Sequence, residues 1–180
     1  MFKECLSKML FGLISLFTAP LSAAPIIGQP APEIFLKTDF DTSWRLSDHK
    51  GKWVVLFFLP SLKGVFGVSE CANQMCSISS SHHEFKVRGA IPVGIETGSI
   101  GDLGKFRKAK RVSKEIVLLS DPHCQAIKAY GTGGWFFSTN RETFIINPHG
   151  KIAHIIRGHS MDGEKHMKIA LDWLNKNRQG

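Results

Sequence analysis

Cys71 and Cys76 lie five positions apart in a stretch, Cys71 to Lys86, that contains neither glycine nor proline. Such a stretch can wind as a helix, and a thiol near a helix start feels the positive end of the macrodipole, which raises its thiolate fraction. That favours Cys71 as the nucleophile. On a regular helix Cys76 sits about 500° further round and about 7.5 Å along the axis. The two side chains then point apart, and their Cα atoms exceed the roughly 7 Å that a disulfide spans. Joining them requires that turn to unwind. A pair of this kind suits a redox cycle, in which the first sulfur is oxidised and the second attacks it, better than it suits a static staple. Two buried helix cysteines acting as small hydrophobes are the bland alternative.

The elements around this pair follow from the apolar pattern. Trp53 to Leu59 is continuously apolar and stops at Pro60, as expected of a central strand covered on both faces. Shorter apolar runs at Ile91–Ile95, Ile116–Leu119, Thr143–Ile146 and Ile152–Ile156 read as further strands. Glu33–Thr38 and Ser43–Leu46 read as a hairpin, and Asn147-Pro148-His149-Gly150 as the turn joining the last two strands. Leu103, Phe106 and Ala109 share one face of a helix, Pro122 opens another through Tyr130, and Met167, Ala170, Leu171 and Leu174 stripe a last one. The alternation predicts one three-layer α/β domain with a central mixed sheet flanked by helices.

The first 24 residues stand apart from this pattern. Lys3 and Lys8 precede an apolar run from Met9 to Phe17, and small residues close the segment. This is the order of a secretory signal peptide, too short in its apolar part to span a bilayer. Cleavage near Ala23 or Ala24 is expected, leaving a domain over residues 25–180 in the periplasm or secreted. Export makes disulfide chemistry permissible. Three cysteines remain in the mature chain, Cys71, Cys76 and Cys124, so at least one thiol is left over by any internal pairing. Cys124, beside His123, is either inert or open to a mixed disulfide.

Composition sets outer limits. The 180 residues are 43% hydrophobic and 21% charged, which excludes a disordered, collagenous or coiled-coil chain. The formal charge of +8 favours anionic partners without naming one. The basic run Lys105 to Arg111 is expected to be the solvated face of its helix, and no nucleic-acid motif accompanies it.

Taken together, GQPAPEIFLKTDFDTSWRLSDHKGKWVVLFFLP, the Cys71/Cys76 spacing, LLSDPHCQAIKAYG at Leu118–Gly131 and RETFIINPHGKI at Arg141–Ile152 resemble the peroxiredoxins. The branch they are most similar to is the bacterioferritin-comigratory, or PrxQ-type, branch, over about residues 26–175. The resemblance implies a thioredoxin-like fold and reduction of hydrogen peroxide or organic hydroperoxides without metal or organic cofactor. It implies Cys71 as the peroxidatic thiolate, oxidised to a sulfenic acid, and Cys76 as the resolving thiol that condenses with it. Arg141 matches the family arginine, whose fixed charge holds the thiolate and polarises the departing oxygen. The partners implied are a peroxide and a thioredoxin-like or other dithiol reductant, on a monomer or weak dimer with no nucleic acid and no stable membrane insertion.

The chain departs from the family pattern at defined positions. Gly64 and Val68 stand where the family carries Pro and Thr, and Gln74 where the branch usually carries Glu. Pro60 lies eleven residues before Cys71, as though about four residues had been inserted, and Ser69 is the nearest substitute hydroxyl. Two other readings of the same residues stand beside the peroxidase. One is a copper-handling protein of the Sco type, using both cysteines and a late histidine such as His154 or His159, although that family spaces its cysteines one residue closer. The other is a non-catalytic relative. The chain's histidines, His82, His83, His123, His149 and His166 among them, otherwise read as scattered over the surface. Reductases of the TlpA/ResA type are excluded because no Cys-x-x-Cys occurs.

Overall fold

Trp53–Phe58 forms the middle of the sheet because nothing in it asks for water: from Val54 to Phe58 every side chain is buried. The structure is a computed structural model that describes residues 24–59, 67–133, 141–158 and 163–177, with side chains in the helix beginning at Gly67 described from Gln74 onward. The seven strands are β1 (Phe35–Thr38), β2 (Ser43–Arg45), β3 (Trp53–Phe58), β4 (Ala90–Glu96), β5 (Val117–Ser120), β6 (Glu142–Ile146) and β7 (Ile152–Arg157). Their order is β2-β1-β5-β4-β3-β6-β7. β3, β4 and β5 run parallel, and the remaining neighbours are antiparallel. The mixed sheet, the first hairpin and the last hairpin match the sequence expectation. The leader lies outside the described residues.

The helices are α1 (Gly67–Ser80), α2 (His82–Val87), α3 (Ile100–Lys110), α4 (Gln125–Tyr130) and α5 (Gly163–Asn177). One face of the sheet packs Val55, Phe57 and Leu59 against α1, α2, α3 and α5 through Met75, Ile78, Phe85, Leu103 and Ala170. The other face packs Phe58, Ile95 and Phe144 against Tyr130 of α4 and Trp44 of the first hairpin. Three layers result. Among the described residues no helix is long and apolar enough to cross a membrane.

Four local expectations need correction. The single helix over Cys71–Lys86 begins four residues earlier, at Gly67, and breaks at Ser81 into α1 and α2. The break lets Phe85 turn its ring edge-on to Phe57, with centroids 6.0 Å apart. α4 starts at Gln125 instead of Pro122, because Cys124 takes a left-handed conformation (φ 55°) and the Asp121 carboxylate accepts the N–H groups of Gln125 and Ile127 at 2.7 and 3.1 Å. On α3, Ala109 is exposed and Arg107 is buried. Arg107 is no part of a solvated basic face: Nη2 donates to Asp39 Oδ1 at 3.0 Å and to the Ile116 carbonyl at 2.8 Å. Its aliphatic stem fills core space while the guanidinium meets a buried carboxylate across the layers. Last, His166 is buried in α5 and shares a 3.2 Å hydrogen bond with Thr143 Oγ1, so it is not a surface histidine.

Candidate functional site

The site gathers at the edge of the sheet where β3 ends. The chain leaves β3 through Leu59, enters α1 at Gly67, and returns through α1 and α2 to the opposite edge, where β4 begins. α1 therefore starts above the C-terminal ends of the parallel strands, where α/β folds commonly place ligands. Its buried stripe is Gln74, Met75 and Ile78, all with no exposed surface. Cys71 precedes these by three, four and seven residues, and so occupies the same helical register. Cys76 lies off that stripe and is exposed, its Sγ 3.9 Å from the Lys110 carbonyl. The expected divergence of the two positions is present in the helix. Ser69, two residues before Cys71, belongs to the first turn of α1, and its side chain lies outside the described residues.

Because the helix begins at Gly67, Cys71 falls in its second turn. The macrodipole acts mainly within the first turn, so it supports a Cys71 thiolate less than the sequence reading assumed. A fixed positive charge is available nearby. β3 pairs with β6 so that Phe58 faces Glu142, and with β4 so that Phe58 faces Ile95. Continuing both registers by one residue sets Arg141, Leu59 and Glu96 in one row across the sheet. Leu59 packs on the α1 side, and the period-two alternation of strands puts Arg141, Thr143 and Ile145 on that side also. Arg141 is 6% exposed.

Gln74 packs closely on α5. A methyl group on Gly163 would lie 2.7 Å from its Cγ, so only glycine allows the two helices to approach there. Both polar atoms of the Gln74 amide lack a hydrogen-bond partner among the described residues. One helical turn beyond Gly163, His166 reaches Thr143, the residue two beyond Arg141 on the same strand face. The sequence singles out Cys71, Cys76, Gln74 and Arg141 as candidates; Thr143 and Glu96, which the structure places in the same region, carry no such mark, and His166 reads there as a surface histidine. The available signal for Glu96 was a lone acid ending an otherwise uncharged strand, AIPVGIE.

Of the residues in the copper reading, Cys76 and His154 are the ones whose side chains are described. Among the described residues no three His, Cys, Asp or Glu side chains form a group able to hold a metal ion. His154 instead stacks on Trp173, with centroids 5.4 Å apart and planes 10° from parallel, and burial holds its imidazole below its ordinary pKa. His159 lies outside the described residues. Cys124, half-buried, is the N-cap residue of α4 and packs on the opposite face of the sheet from this row.

Residues 27–155 match the model of the AhpC/TSA family. Peroxiredoxin Bcp of Bacillus subtilis is 31% identical over 132 residues, covering 70% of this chain and 81% of its own length. The chloroplastic peroxiredoxin Q of Sedum lineare is 30% identical over 151 residues, covering 82% of this chain and 76% of its own. Among solved structures, peroxidoxin BcpB from Mycobacterium tuberculosis superposes with a TM-score of 0.74 at 25% identity, over 85% of this chain and 98% of that one. The Xylella fastidiosa PrxQ C47S mutant superposes with a TM-score of 0.73 at 21% identity, over 86% and 98%, a likeness of fold.

Proposed function

The chain belongs to the AhpC/TSA family and is a thiol peroxidase with the thioredoxin fold; from that premise we propose that it is exported and works through Cys71, Cys76 and Arg141. The Cys71 thiolate attacks a peroxide oxygen, the O–O bond breaks, and Cys71 becomes a sulfenic acid. Arg141 stabilises the thiolate and the charge that develops on the leaving oxygen. The turn from Cys71 to Cys76 then unwinds, Cys76 displaces water from the sulfenic sulfur, and an intramolecular disulfide forms. A thioredoxin-like or other dithiol reductant, acting in the periplasm or outside the cell, returns the pair to thiols. The protein acts as a monomer or weak dimer. Ser69 offers the hydroxyl that Val68 does not, and Gln74 lies in the turn that must open.

The observation that carries this reading is the row across the sheet. It brings a buried Arg141 level with the end of β3, beneath the helix that holds Cys71 in the register of its buried stripe. The test is peroxide consumption by the reduced mature protein followed by stopped flow. Cys71→Ser should abolish it, and Arg141→Ala should slow it by about tenfold or more while the fold persists, in line with the loss of a charge-assisted contact. Equal rates in Arg141→Ala would remove Arg141 from the site. Stoichiometric tight Cu(I) binding without peroxide reactivity would favour the copper reading instead.

A further inference from the structure

The cations of α3 and of the segment after it meet no carboxylate, Arg107 excepted. Arg107 is paired with Asp39, whereas Lys105, Lys108, Lys110, Arg111 and Lys114 form no ion pair among the described residues. Lys110 is half-buried and the other four of these are exposed. From Leu103 to Glu115 the sequence holds one acid, Glu115, and it is already engaged, 3.8 Å from His82 Nε2 and 3.6 Å from Lys86 Nζ. The helix dipole accounts for Lys108 and Lys110, which stand in the last turn of α3. Arg111 and Lys114 carry the same charge on past the end of the helix, where the dipole asks for nothing. This face of the protein is therefore cationic and without a partner in the fold.

A thiol lies on the same face. Cys76 is exposed, with its Sγ 3.9 Å from the Lys110 carbonyl. One turn later on α1, Ser79 Oγ accepts the Ser113 N–H at 2.8 Å. Past the break, His82 and Lys86 of α2 reach Glu115. Three successive contacts thus lay α1 and α2 along residues 110–115, with Arg111 next to the residue that Cys76 touches, and Lys108 and Lys114 within four positions of it. The Ser79–Ser113 tether and the buried Ile78 lie beyond the turn that joins Cys71 to Cys76. Disulfide formation can therefore open that turn and leave Cys76 beside α3.

We propose that the cationic face of α3 around Cys76 docks a protein dithiol reductant whose surface about its thiols is acidic. The inference rests on the thiol-peroxidase reading and names the chemistry of the partner that reading requires. One thiolate of the reductant attacks Cys76 Sγ, the Cys71–Cys76 bond breaks, and Cys71 leaves as a thiolate. The second thiolate of the reductant then attacks its own sulfur in the mixed disulfide, and Cys76 leaves as a thiolate. The reductant gives up two electrons and becomes a disulfide, the Cys71–Cys76 pair is reduced, and the two thiol protons pass through water. Unpaired cations beside the attacked sulfur speed the encounter with an anionic surface, an effect that salt screens.

The test uses the mature protein oxidised by one equivalent of hydrogen peroxide and two synthetic peptides that share a Cys-x-x-Cys core. One peptide is flanked by four Glu and the other by four Gln, and dithiothreitol is the uncharged reference. Each reagent's own thiol reactivity cancels when its rate on a variant is divided by its rate on the parent. Lys108→Glu with Lys114→Glu should slow the Glu peptide about tenfold at about 10 mM salt, leave the Gln peptide and dithiothreitol within about twofold, and lose that difference at about 0.5 M salt. Lys128→Glu with Lys151→Glu makes the same change of net charge at two exposed positions, on α4 and just before β7, and should leave all three rates unchanged. A Glu-peptide rate that falls equally in both variants, or in neither, overturns the proposal and leaves the peroxidase reading standing. Peroxide that forms no Cys71–Cys76 bond overturns that reading and the proposal with it.

Discussion

Replacing Gln74 by Met should make the reduced protein more stable and its disulfide slower to close. The Gln74 side chain is fully buried, and neither its Nε2 nor its Oε1 has a hydrogen-bond partner among the described residues. A buried amide left unsatisfied costs about 1–3 kcal/mol, and methionine fills nearly the same volume without the polar demand. The reduced variant should therefore gain about 1–3 kcal/mol, moving its urea midpoint up by about 0.5–1.5 M at unchanged slope. The kinetic effect follows from the helix. Five residues along a regular helix separate two Cα atoms by about 8.7 Å, beyond the roughly 4.4–6.8 Å of disulfides, so the turn holding Gln74 and Met75 must open. Opening exposes Met75, at a cost of about 1.5–3 kcal/mol, and frees the Gln74 amide to water, which offsets a similar amount. Gln74→Met removes the offset, so closure should slow about tenfold for each 1.4 kcal/mol gained. Urea melts of the reduced protein and stopped-flow disulfide formation after a peroxide pulse read the two effects. A destabilised Gln74→Met protein, or one that closes as fast as its parent, would refute this account of the helix.

Arg107→Ala should cost about 3–5 kcal/mol in denaturant melts, because it leaves the Asp39 carboxylate buried without the guanidinium it now faces; a loss below about 1 kcal/mol would mean that water solvates Asp39. Burial raises the Asp121 carboxyl above its ordinary value of 3.8, against the N–H groups of Ile127 and Gln125 that pull it down. A raised value means that the folded state holds the proton more tightly. This stabilising contribution is complete below pH 3.8 and fades as the pH climbs through the raised value. Melts across that window should show the parent losing stability relative to Asp121→Asn as pH rises, and the opposite slope would reverse the assignment. Expression in a Gram-negative host should give an exported protein whose first residue is Ala24 or Pro25; N-terminal sequencing that finds Met1 on a soluble cytoplasmic protein would remove the leader assignment.

Elements with an unambiguous local pattern were legible in the sequence. Trp53–Phe58 could only be an inner strand, and the two hairpins announced themselves by turn residues, with Gly150 adopting the positive φ of 75° that its turn requires. What escaped were features decided by distant partners. Arg107 reads as one charge in a basic run, and only the fold brings Asp39 to it. His166 reads as a surface histidine until β6 supplies Thr143. The start of α4 depends on the left-handed Cys124 and on the Asp121 carboxylate, and proline alone suggested an earlier start. The site was legible on the thiol side, where spacing and helix geometry are local. Its row of Arg141, Leu59 and Glu96 was not, because three strands distant in sequence set it by register.

The most direct test of the central claim is the disulfide map of the mature protein after one equivalent of hydrogen peroxide. The reduced chain should lose two thiols, and digestion should release a single intrachain Cys71–Cys76 bond with Cys124 still reduced. Amide exchange should then quicken across Cys71–Ser80 and stay unchanged in Trp53–Phe58. Peroxide that consumes no thiol, or a bond joining Cys71 to Cys124 or to a second chain, would contradict the account.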